Sequence, residues 1–178
     1  MMRFSCRHSL VLLVAFAVIP TAQAAEQSGA TLAGSYRDWF VYRAGESDDL
    51  NCFALSKPRD SDPGNMDRGE IAFLVSSWPA SNKQHEPSIV AGYPYSENPT
   101  VRVQIGGDQF EFALTRNNGD AGGAWMEETA QEARLINAMK GGATMTVTGT
   151  SAGGTLTRDT YSLAGITAAL DFIEANCN

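Results

Sequence analysis

The chain has 178 residues, with 20 acidic against 13 basic side chains and a formal net charge of −7. That balance argues against nucleic acid and anionic lipid as partners, because both are bound through a basic face. No Gly-x-x-x-x-Gly-Lys-Ser/Thr or Gly-x-Gly-x-x-Gly spacing occurs, so no nucleotide cofactor is expected.

The first 24 residues read as a secretory signal peptide. Arg3 and Arg7 make a basic start, Leu10 to Ile19 an apolar run ended by Pro20, and Ala22-Gln23-Ala24 a small-residue cleavage site. The run is too short for the roughly 20 residues that span a bilayer, so no membrane span is expected once the signal is cut. Cleavage after Ala24 removes Cys6, Arg3 and Arg7 and leaves 11 basic and 20 acidic residues, a mature charge of −9. Two cysteines survive, Cys52 and Cys177. In an oxidising compartment they are expected to join, closing a loop of about 125 residues worth roughly 4 to 5 kcal/mol in the chain-entropy model. They lack the close spacing of a redox or metal pair.

Residues 25–35 are small and polar, a flexible leader, and 36–178 read as one domain. Tyr36 to Tyr42 is aromatic and strand-like, with Trp39 and Val41 sharing one face toward a core. An acidic turn-rich loop follows, and Cys52 to Ser56 resumes as a strand that could complete a hairpin. Lys57 to Glu70 carries strong turn signals and reads as a solvated loop; its acids do not follow the order of a calcium loop. Ile71 to Trp78 is apolar enough for a strand buried on both faces. Pro79 to Pro87 is polar and holds His85, the one histidine of the mature chain, read as a solvated loop residue. A serine triad then lacks an obvious base, a histidine-based zinc site lacks ligands, and no metal or catalytic residue is assigned.

Ser88 to Gly92 reads as a short strand running into Tyr93-Pro94-Tyr95. Two tyrosines around a proline either cover a sheet end or offer a stiff, hydrogen-bonding contact surface; Tyr93, Pro94 and Tyr95 are the candidate interaction site. In Val101 to Thr115, a turn at Gly106-Gly107 sets Val103 opposite Phe110, Val101 opposite Phe112 and Arg102 opposite Glu111. Apolar pairs then share one face and the ion pair the other. Glu127 to Lys140, with acids first, a base last and Gly141 beyond, predicts a helix. Thr144 to Thr150 and Thr155 to Leu163 predict a second hairpin of open register. Ser162 is the expected cap of a last helix, in which Ile166, Ala169, Leu170, Ile173 and Cys177 form one apolar stripe.

The blocks Asp38-Trp39-Phe40-Val41-Tyr42, Arg68-Gly69-Glu70, Ala91-Gly92-Tyr93-Pro94-Tyr95, Ala138-Met139-Lys140, Gly149-Thr150-Ser151 and Asp159-Thr160-Tyr161-Ser162-Leu163-Ala164-Gly165, with Thr167-Ala168-Ala169 after it, give the chain a family likeness. It resembles the invasion-associated locus B family from about Tyr36 to Cys177. The resemblance implies an exported, mainly periplasmic protein of Gram-negative cells, with an immunoglobulin-like β-sandwich and an association with host-cell invasion. It brings no catalytic residues. Many relatives carry a cysteine just after the Trp-x-Val unit, where this chain has Tyr42-Arg43, and Ile166 stands where phenylalanine is frequent.

Independently of that likeness, seven or more short strands with late helices predict a mainly β fold, a sandwich with one helix before the last hairpin and a C-terminal helix. The functional expectation is a non-enzymatic cell-envelope module, periplasmic, secreted or surface-associated, that binds a protein or envelope partner. The alternatives are a carboxylate-based hydrolase of envelope polysaccharide and a small-ligand carrier.

Overall fold

A computed structural model describes residues 29–97, 100–114, 123–126 and 128–177. The expected signal peptide lies outside the described residues. The strands are β1 (Ala30–Tyr36), β2 (Trp39–Ala44), β3 (Asn51–Ser56), β4 (Asp60–Asp62), β5 (Ala72–Trp78), β6 (Lys83–Val90), β7 (Val101–Ile105), β8 (Asp108–Leu114), β9 (Gly123–Trp125), β10 (Thr144–Thr150) and β11 (Leu156–Ser162). Helix α1 (Thr129–Gly141) precedes the β10–β11 hairpin, and α2 (Ile166–Asn176) ends the fold. The fold is mainly β with the two helices where the sequence puts them.

The eleven strands of the described residues belong to one antiparallel sheet, in the order β1-β2-β3-β5-β6-β9-β8-β7-β10-β11-β4. Short β9 joins the halves, pairing with β6 on one side and β8 on the other. The sheet folds over so that its halves face each other as an open sandwich. Phe73 of β5 marks the middle of the core, with Trp39, Phe112 and Tyr161 around it, ring centroids 6.4, 6.1 and 6.1 Å away and set edge-on. Edge-on rings bring the positive rim of one against the negative face of another. The Trp39 Nε1–H donates to the Ser162 carbonyl at 3.0 Å, tying β2 to β11 across the fold.

The Gly106-Gly107 hairpin has the predicted register: Val101 faces Phe112, Arg102 faces Glu111 and Val103 faces Phe110. Gly106 takes φ 56°, a conformation glycine adopts without steric cost. Cys52 and Cys177 form the expected disulfide, Cα atoms 6.3 Å apart, which fastens the end of α2 to β3. Ile166, Ala169, Leu170 and Ile173 are the buried face of α2, as the stripe requires.

Several local features differ from the pattern reading. Ala30–Tyr36, partly assigned to the leader, forms edge strand β1; its pairing with β2 is broken between Leu32 and Gly34, which also breaks any alternation in sequence. Strand β4 falls inside the charged loop, where Asp60 to Asp62 pair with β11. The N-cap of α2 is Gly165 rather than Ser162. Gly165 has φ 102°, and a side chain there would run into the Tyr36 carbonyl. The Ser162 hydroxyl accepts instead from the Ala164 amide at 3.2 Å.

Candidate interaction surface

Four of the sequence blocks converge on one buried knot. Asp159 points inward from β11, and a carboxylate there is tolerable only when paired and hydrogen-bonded. Arg68 supplies both partners: its Nη1 and Nη2 reach Oδ1 and Oδ2 at 2.7 Å each, and 4% of each side chain is exposed. The same guanidinium donates through Nε and Nη2 to the Ala91 carbonyl at 3.0 and 2.7 Å. Burial opposes its charge, and the bonds to Asp159 outweigh burial, so its pKa is raised. Gly69 donates to the Gly92 carbonyl at 2.8 Å. A Cβ on Gly92, which has φ 73°, would lie 2.7 Å from the Gly69 oxygen, so glycine at 92 is set by close backbone approach.

The knot determines where Tyr93, Pro94 and Tyr95 stand. Arg68 lies over the Tyr93 ring at 4.8 Å, and the Tyr93 hydroxyl shares a 2.6 Å hydrogen bond with Thr157 Oγ1, leaving the residue 6% exposed. Tyr95 meets the Tyr93 ring edge-on at 5.3 Å and bridges to Ser151, half-buried. Burial raises the pKa of both phenols. Pro94 is exposed, and its carbonyl accepts from Ala152 at 2.7 Å. The stretch therefore zips onto the β10–β11 turn, with Gly149 bare beneath the Tyr95 ring because a Cβ would lie 2.7 Å from it.

The larger exposed apolar surface lies on the outer face of the first half-sheet. Pairing sets Leu32, Tyr42 and Phe53 in one row and Phe40, Leu55 and Leu74 in the next, which continues through Ser88 to Trp125. No charged side chain interrupts either row from Leu32 to Phe53 or from Phe40 to Trp125. Tyr42 and Phe53 stack at 5.5 Å, while Leu32 is 58% and Phe40 37% exposed. The remaining five apolar side chains are half-buried. Contiguous apolar side chains on a sheet face are the kind of surface at which protein contacts form.

His85, read as a solvated loop residue, sits inside β6 at a break in the β5 pairing, with φ 58° and 18% of its side chain exposed. Its amide donates to Ser77 Oγ at 3.2 Å, and its Nε2 lies 3.2 Å from a carboxylate oxygen of Glu174. Burial lowers its pKa, aided by Lys140 and opposed by Glu174 and Asp171. The polar composition of residues 79–87 carried no sign of this burial; α1 packs on β6, and Lys140 and Glu174 bring the ends of both helices beside the ring. Among the described residues no three His, Cys, Asp or Glu side chains are grouped to hold a metal ion. Among them, too, no helix is long and apolar enough to cross a membrane.

Fold and surfaces together define a class: an antiparallel β-protein folded around aromatic rings, locked by a buried Arg–Asp pair and clasped at its C-terminal helix by a disulfide. The chain belongs to the family described as Invasion associated locus B (IalB) protein, whose match covers residues 39–174. Comparison with curated proteins and with solved structures gave no match.

Proposed function

We propose that this member of the invasion-associated locus B family is an exported, non-enzymatic envelope module that docks a partner protein on the outer face of β1, β2, β3, β5 and β9. The observation that carries the reading is the pair of uninterrupted apolar rows, with Leu32 and Phe40 at their exposed end. The occupant is a protein with a matching uncharged patch inside a basic rim. The mature charge of −9 favours such a rim and opposes anionic lipid. Pro94 and the edge of Tyr95 form a smaller secondary contact.

Export rests on Arg3, Arg7, the Leu10–Ile19 run and Ala22-Gln23-Ala24. Amino-terminal sequencing of protein from a periplasmic fraction is expected to begin at Ala25; a start at Met1 overturns this part. For docking, a photo-reactive residue placed at Phe40 is expected to give a discrete heterologous adduct. That adduct should disappear with Leu32→Asp and reform from the purified partner and mature chain. Only self-adducts, or adducts insensitive to Leu32→Asp, overturn the docking reading.

A further inference from the structure

Strand β6 is paired with β5 except at Gln84 and His85, where the register breaks, and with β9 only from Ser88 to Val90. From Lys83 to Pro87 no strand lies along its second edge among the described residues. Pro87 fits there, since proline within a strand is tolerated where its missing N–H is not needed by a neighbour. Across the gap stands the first half of α1. Between them is a hollow of about 550 Å³ bounded by Asn82, Gln84 and Glu86 on one side and Thr129 and Glu132 on the other. It is adjoined by a second hollow of about 260 Å³ that shares Gln84, Thr129 and Glu132 and runs on to Asn137 and Glu174. The groove also continues the apolar face, because Glu86 lies opposite Ser76 in the row of Phe53.

The chemistry of this groove is that of a peptide site. The open strand edge offers backbone groups for hydrogen bonding, and Asn82, Gln84 and Asn137 offer amides that both donate and accept. Three carboxylates, Glu86, Glu132 and Glu174, face two cations, Lys83 and Lys140. Lys83 and Glu86 already pair at 3.3 Å. Glu132 has no such partner among the described residues; burial and then the charge of Glu86 raise its pKa, although Lys83 opposes this. A cationic side chain seated beside it would offset the charge of Glu86 and favour the ionised carboxylate. Five strand residues span at most about 17 Å, shortened here by the left-handed turn of the chain at His85, and this sets the length of peptide that can be added.

We propose that the open edge of β6 between Lys83 and Pro87 binds an extended basic peptide segment as an added strand, with a Lys or Arg seated between Glu86 and Glu132. This rests on the reading of the chain as an interaction module and supplies the chemistry of part of its partner. The test uses the mature, disulfide-bonded protein and three capped pentapeptides followed by two-dimensional NMR: Ser-Lys-Val-Lys-Ser, its Glu-for-Lys counterpart, and the basic peptide N-methylated at alternate amides.

The basic peptide is expected to move the amide signals of Gln84, Glu86 and Thr129. The Glu86→Gln/Glu132→Gln double variant, checked for an unchanged fold by circular dichroism, should weaken that binding about fivefold or more. The acidic and N-methylated peptides should leave the signals in place. No shifts up to about 5 mM basic peptide, or equal binding of the acidic one, overturn the proposal. Equal binding of the N-methylated peptide overturns strand addition. Shifts induced by chitin oligosaccharide but not by peptide assign the groove to carbohydrate instead. Leu32→Asp should abolish partner crosslinking while leaving peptide binding intact, so failure of one reading is distinguishable from failure of the other.

Discussion

Arg68 and Asp159 lie 91 residues apart in the chain and meet through two 2.7 Å hydrogen bonds in a site that leaves 4% of each side chain exposed. The pair is a condition of the fold, because removing one partner strands the other's charge. Asp159→Ala is expected to cost about 3 to 5 kcal/mol, read as a lower urea midpoint. Replacing both with apolar residues of similar volume, Arg68→Met with Asp159→Leu, is expected to cost clearly less. A double variant as unstable as the single one would show that the bonds to Ala91, rather than the ion pair, set the cost.

The Cys52–Cys177 bond closes a sequence separation of 125 residues. Its removal by Cys52→Ser/Cys177→Ser is expected to lower stability by roughly 4 kcal/mol, the upper range for a native bridge. Thermal unfolding with and without reductant checks this: reductant should lower the Tm of the native sequence and leave the double variant unmoved.

His85 gives the fold a pH dependence of known sign. Its folded pKa lies below the unfolded value of about 6.5, so the unfolded chain takes the proton first. Stability from this group is complete above that value and declines as pH falls through it toward the folded pKa. Tm measured from pH 7.5 downward is expected to fall below about pH 6.5. His85→Gln should flatten that part of the curve, and an unchanged slope would assign it to carboxylates.

The outer face makes the opposite kind of prediction, function without stability. Leu32 is 58% and Phe40 37% exposed, so Leu32→Asp/Phe40→Asp is expected to change Tm by no more than about 4 °C while abolishing the partner adduct. A large loss of Tm would mean that the rows hold the sheet together rather than a partner.

Gly165→Ala tests backbone strain directly. With φ 102° and the Tyr36 carbonyl against its bare Cα, the substitution is expected to cost about 1 to 3 kcal/mol. Chemical denaturation measures it, and a neutral result would require β1 to move away from α2.

What could be read from sequence was local. The Val101–Leu114 hairpin was legible because turn, alternation and ion pair agree within a dozen residues, and the α2 stripe because it repeats at helical spacing. Long-range features were not. Arg68 lies in a segment of turn signals and Asp159 in a threonine-rich strand, and only the fold brings them together. Likewise β4 is three polar residues that become a strand through contact with β11, and His85 is buried by elements distant in sequence. The apolar face was hidden for another reason: Phe40, Tyr42, Phe53 and Leu55 read as core composition, and strand pairing alone decides which aromatic residues turn outward.

The disulfide also divides the chain topologically. Residues 53–176 lie inside a covalent ring, while β1 and β2, with the exposed end of the apolar face, hang outside it on a linear tail. A single protease cut within the ring leaves both pieces joined, and a non-reducing gel would register no loss of mass. A cut between β2 and Cys52 instead releases the tail and takes Leu32 and Phe40 with it. One nick can thus separate the exposed end of the proposed docking face from the rest of the chain.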